Sequence, residues 1–164
     1  MTHTFDPAKY GPEIAALLSE PRLMPLGPGT PVVAVRDRLA TLPAPPACRA
    51  GLWLYFDFLD EAHQISQADE ADPDHNFWHA VLHRREPDAW NSKYWWRRVG
   101  PHPVLDRLRE LAPELGFRFT TPEAFVDLCE RVRGCGSATE QLARQVQLLE
   151  WQLHFDWCWD HADR

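Results

Sequence analysis

The sequence predicts an all-α, single-domain helical bundle of about seven or eight helices. Three observations carry that expectation. Apolar residues recur at helical spacing along most of the chain, and prolines stand just ahead of several of these stretches. The length, 164 residues, suits one domain with a core of its own. Only GFRFT at 116–120 alternates with the period of a strand.

The first ten residues are expected to be poorly ordered, and a helix is predicted near 11–19. PRLMPLGPGT (21–30) reads as a loop, since proline and glycine punctuate it throughout. A helix near 31–41 follows, then a second loop at 42–47, LPAPPA. Further helices are predicted near 47–68, 73–85, 89–99, 103–112, 122–133 and 137–162. Pro12, Pro31, Pro73 and Pro122 suit a first helical turn, where the missing N–H costs nothing. Thr30, Asp72 and Thr121 precede three of them as N-caps, and Gly100, Gly116 and Gly134 suit helix ends.

The predicted helix 47–68 is apolar around most of its circumference, through Leu52, Leu54, Tyr55, Phe56, Phe58, Leu59 and Ile65, so it belongs inside the bundle. Its remaining face carries Asp57, Asp60, Glu61 and Gln64, with His63 and Gln67 at the edge. That stripe either meets water or lines a polar cavity. In the last helix Leu142, Val146, Leu149, Leu153 and Trp157 form a core stripe. Glu150, His154, Cys158 and His161 share the adjoining face, as a metal or acid–base site would require; the alternative leaves His161 exposed near the terminus.

Composition narrows the function classes. With 45% hydrophobic and 25% charged residues the chain is neither disordered nor a disulfide miniprotein. Cys48, Cys129, Cys135 and Cys158 show no CxxC spacing and read as reduced thiols. No apolar run is long enough for a membrane span, and the N-terminal residues lack the pattern of a secretory leader, so a cytoplasmic protein is expected. The formal charge is −7. Residues 57–74 hold seven acids and no Lys or Arg, leaving 17 acids against 17 bases elsewhere. An acidic chain disfavours nucleic acid and anionic membranes as partners. The absence of GxGxxG and GxxxxGK[ST] argues against a nucleotide cofactor. HExxH, GxSxG and paired Glu-x-x-His motifs are missing too, so zincin, serine-hydrolase and di-iron chemistry are not expected.

Two constellations remain. In HNFWHAVLHRRE (75–86), His75, His79 and His83 repeat every fourth residue and Glu86 follows three later, so all four project from one side of a helix. Imidazoles one turn apart can share a metal ion, and His63 from the preceding helix would complete a three-histidine set with open positions. The ion would be divalent: zinc, iron, manganese or nickel. Asp60 and Glu86 would orient the rings. The plainer reading is a solvated polar face.

The second constellation, residues 84–98, holds Arg84, Arg85, Lys93, Arg97 and Arg98 against Glu86 and Asp88. Arg84, Lys93, Arg97 and Arg98, with Asn91, would clamp a small anionic molecule, and Tyr94 would donate a proton. The alternative is that this block neutralises the acidic one across a helix pair. Eight tryptophans serve either the core or an aromatic pocket wall.

The stretches FLDEAHQISQ (58–67), FWHAVLHRREPDAWNSKYWWRRVGPHPV (77–104) and EWQLHFDWCWDH (150–161) resemble a family of small uncharacterised bacterial and fungal proteins. Its members carry a similar histidine, then His-x-x-x-His-Arg, Glu-x-Asp, and Asn-x-Lys-Tyr-Trp with paired arginines. That resemblance implies no activity and no catalytic residue. His63 with His79 and His83 is also similar in spacing logic to the metal triad of DinB-type four-helix bundles.

The function expected from the residues is a small-molecule enzyme or binding protein with a histidine-rich, metal-binding polar site, acting in metal-assisted hydrolysis. The rival is a scaffold or interaction protein whose charged stripes form a structural ion-pair network.

Overall fold

The computed structural model describes residues 3–162, and among these there are nine α-helices and no strand. They are α1 (Pro12–Leu17), α2 (Arg36–Ala40), α3 (Pro46–Tyr55), α4 (Leu59–Ser66), α5 (Pro73–Arg85), α6 (Ala89–Val99), α7 (Pro103–Leu111), α8 (Pro122–Val132) and α9 (Ala138–Asp160). The all-α expectation holds, and GFRFT forms no strand. None of the described helices is long and apolar enough to cross a membrane.

The helix starts follow the sequence logic. Asp72 accepts from the Asp74 N–H at 2.8 Å and Thr121 from the Ala124 N–H at 3.1 Å, each with proline in the first turn. Thr30 caps nothing, because the chain first makes a short 3-10 turn at Val33–Val35. Of the first ten residues, 3–10 are among those described and make specific contacts. Asp6 caps a 3-10 turn at Pro7–Tyr10, and Phe5 packs edge-on against Trp151 with ring centroids 5.7 Å apart. Residues 1 and 2 lie outside the described residues.

The single helix expected at 47–68 is two helices. Between α3 and α4 Asp57 adopts φ +67°, a left-handed conformation that aspartate tolerates better than most residues. Its carboxylate accepts from the guanidiniums of Arg22 and Arg85, sealed at 4% exposure. These charge-assisted bonds hold the break. The turn lets α4 fold back against both α3 and α5.

The helix buried all round is α5: every residue from His75 to Arg85 is buried. It packs against α3, α4 and α6, while α9 covers α3 and reaches α7 and α8. Ser92 ties α6 to α5 by donating to the Ala80 carbonyl at 2.7 Å. Gly51 on α3 allows the Trp78 ring to approach so closely that a Cβ would lie 2.7 Å from its Cζ2. Trp151 donates to the Gly51 carbonyl at 2.7 Å. Among the tryptophans, Trp78, Trp96 and Trp151 are core residues and Trp90 is 72% exposed.

The loop before α2 is pinned by its backbone. The carbonyls of residues 23 to 28 accept, in order, from Arg144, Arg144, Gln147, Arg133, Arg85 and Arg85. Arg85 also donates to the Leu54 carbonyl at 2.7 Å. All four cysteines are free thiols, with only Cys135 exposed.

Candidate metal centre

The α5 register places His79 and His83 one turn apart on the face turned toward α4, and α4 delivers His63 to both. The His79 and His83 rings stack at 4.8 Å with 20° between their planes. His63 meets them edge-on at 4.8 and 5.5 Å. One donor atom from each residue lies within 4.8 Å of the other two. Zinc–nitrogen bonds of about 2.0–2.1 Å would require separations of about 3.4 Å in a tetrahedral set, a contraction of about 1–1.5 Å at most.

Within this cluster the His79 ring has unfilled bonding capacity. His79 has no hydrogen bond on either nitrogen among the described residues, and its Nδ1 is sealed from solvent. An orphaned buried nitrogen normally costs about 1–3 kcal/mol. Burial, reinforced by His83 and His63, pushes the His79 pKa down to about 3, so the ring stays neutral and keeps a lone pair. On its other side the ring stacks on Trp95 of α6 at 3.8 Å.

His83 is oriented by Glu86, whose Oε2 lies 2.7 Å from Nδ1. With the proton held there, Nε2 is left as the donor atom, the arrangement by which carboxylates steer ligating histidines. His63 is half-buried and forms the open edge of the cluster. The residues present therefore fit a divalent cation through three imidazoles with room for further ligands.

The expected supporting residues fare unequally. Glu86 orients His83. Asp60 is exposed and makes neither a hydrogen bond nor an ion pair among the described residues, because its turn of α4 faces outward. His75 points away, its Nδ1 3.1 Å from the Ile65 carbonyl.

The anion clamp is largely dismantled. Arg84 is fully buried and forks onto Glu150 of α9, at 3.0 and 2.6 Å, with its guanidinium over the Phe125 ring. Asn91 is occupied by Asp88, at 2.8 Å, as part of the α6 cap. Lys93 pairs with Asp127 of α8 at 2.6 Å. Arg97 is exposed without an ion-pair partner among the described residues. Arg98 and Tyr94 are linked to the cluster only through Trp95, the indole on which His79 stacks. The Arg98 guanidinium lies over the Trp95 ring, 5.3 Å from its centroid, and donates to the Tyr94 hydroxyl at 3.5 Å and to the Glu70 carbonyl at 3.1 Å.

Two participants escaped the sequence reading. Trp95 backs the cluster, and Trp90, Tyr94 and Arg98 form an outward ladder, Trp90 stacked on Tyr94 at 6.2 Å. The i, i+4, i+8 spacing of these three was the available signal.

A second group, Asp74, His102 and His154, also brings its donor atoms within 4.8 Å. Most of its bonding capacity is already used, although His154 Nδ1 is buried without a partner. His102 caps α7, its Nδ1 accepting from the Val104 N–H at 3.2 Å, so its Nε2 carries the proton toward Asp74 Oδ1 at 2.9 Å. A metal at Nε2 would force the proton onto Nδ1 and break the cap. His154, stacked on Phe77 at 3.8 Å, donates to the Asp74 carbonyl. Burial lowers its pKa to about 3. Glu150 and His154 are thus not partners, and His161 turns back to the Trp157 carbonyl at 2.7 Å.

No family model matches the chain, and neither a curated protein nor a solved structure matches it.

Proposed function

We propose that His63, His79 and His83 form a mononuclear divalent-metal centre serving a metal-assisted, hydrolysis-type reaction on a small anionic molecule. One observation carries this reading: three imidazoles from two helices converge while His79 keeps both nitrogens unpartnered in a buried position. A bound divalent ion supplies Lewis acidity and activates water at neutral pH. The protein's own part is distinct. Glu86 holds the His83 proton away from the centre, Trp95 fixes the His79 ring plane, and half-buried His63 marks the side of entry. Arg98, resting on Trp95 beside Tyr94, is the cation that would meet an anionic group.

The structural-network alternative is favoured by the arginines: Arg84 and Arg85 are consumed by Glu150 and Asp57. The histidines separate the two readings, since a network needs satisfied rings. The test is titration of the apo protein with zinc, manganese, iron(II) and nickel, read by calorimetry and elemental analysis. One equivalent per chain is expected, abolished by His79→Ala and His83→Ala and weakened about 10–100-fold by Glu86→Gln. A wild-type chain that takes up none of the four metals at neutral pH refutes the centre.

A further inference from the structure

The N-terminal segment, the 21–23 stretch and α9 border a half-open cavity of about 410 Å³. This is within the size range of sites for small organic ligands. Its walls are apolar and aromatic: Phe5, Leu18, Leu148 and Trp151. Arg22 is the one charged residue among those lining it, and Tyr55 sits beside it at 5% exposure.

The charge balance around Arg22 is incomplete. Two guanidiniums, Arg22 and Arg85, share the single carboxylate of Asp57. Arg85 is fully buried and spends its remaining N–H groups on backbone carbonyls and the Met24 sulfur. Arg22, whose side chain is 27% exposed, uses Nε for the Tyr55 carbonyl and Nη2 for Asp57, leaving Nη1 uncommitted. The Tyr55 phenol also lines the cavity and carries a hydroxyl proton that it can donate. One end of an apolar cavity therefore offers two hydrogen-bond donors and one positive charge in excess.

We infer that this cavity binds an amphipathic monoanion, a medium-chain or aryl carboxylic acid. Its carboxylate would rest on Arg22 Nη1 and the Tyr55 hydroxyl, and its apolar body against Trp151 and Leu148. The charge requires an anion, the two donors match a carboxylate's two oxygens, and the walls exclude a fully hydrated ion.

The inference is independent of the histidine centre and is tested on metal-free protein. Sodium octanoate is titrated against the full chain by calorimetry, with 1-octanol and acetate as controls. Octanoate is expected to saturate at one per chain, with both controls at least about tenfold weaker. Removing Arg22 would also release Asp57, so Leu148→Trp, which fills the cavity from α9, and Tyr55→Phe, which deletes only the donor, are the informative variants. Each is expected to weaken octanoate by about tenfold or more while leaving the helical spectrum intact. No saturable octanoate binding, equal binding of 1-octanol or acetate, or full binding by Leu148→Trp overturns the assignment.

Discussion

Acid should destabilise this protein well above the pH at which carboxylates titrate, and the size of the effect follows from two rings. His79 and His154 both have their pKa lowered from 6.5 to about 3, burial being the largest cause in each. The folded state refuses protons that the unfolded chain accepts. The stability is therefore fully present above about pH 6.5 and is lost progressively as the pH falls toward 3. At pH 5.5, one unit below the unfolded value, each ring costs about 1.4 kcal/mol relative to pH 8, about 3 kcal/mol together. Ordinary carboxylates titrate below that window. The assay is urea denaturation of chelator-treated protein from pH 8 to 5.5. His79→Gln and His154→Gln should each remove about one proton from the slope. Stability that is flat or rising on acidification, or a slope that neither variant changes, refutes the reasoning.

Other perturbations follow from the packing. Glu150→Leu strands the Arg84 guanidinium in the core and should cost about 3–5 kcal/mol in urea melts, most of it regained in Arg84→Met/Glu150→Leu. Gly51→Ala places a methyl 2.7 Å from a rigid indole atom; despite better helix propensity it should lose about 1–3 kcal/mol, read as a lowered melting temperature.

Much of this structure was legible because it is local. Pro73 behind Asp72 and Pro122 behind Thr121 start helices where capping and a fixed φ agree, and the i, i+4 step of His79 and His83 needs only a helix to bring the rings together. Glu86 reaches His83 for the same reason. The break at Asp57 was not legible, since the apolar run continues through it. What bends the chain is two arginines, 35 residues upstream and 28 downstream. Arg84 was misassigned on the same account: its partner lies 66 residues away on α9, not in the nearby acidic block. The acidic block does meet the basic one where Arg85 pairs with Asp57, but Arg22 shares that carboxylate and Arg36, from outside both blocks, takes Glu61. Sequence proximity shows that charges must balance, whereas tertiary packing chooses the pairs.

The loop at 21–30 has a consequence for how this chain tolerates change. Prolines at 25 and 28 remove N–H groups from a segment whose six consecutive carbonyls, 23 to 28, serve donor-rich side chains. Arginine only donates, so a stretch rich in acceptors and poor in donors is its natural complement. Recognition runs through the main chain, which every residue type supplies alike. Exposed positions such as Pro28 and Thr30 are therefore exchangeable, unlike the buried Met24 and Leu26, whereas inserting or deleting one residue shifts every carbonyl to the wrong donor. What reads as a permissive connector is a ruler, strict above all in length.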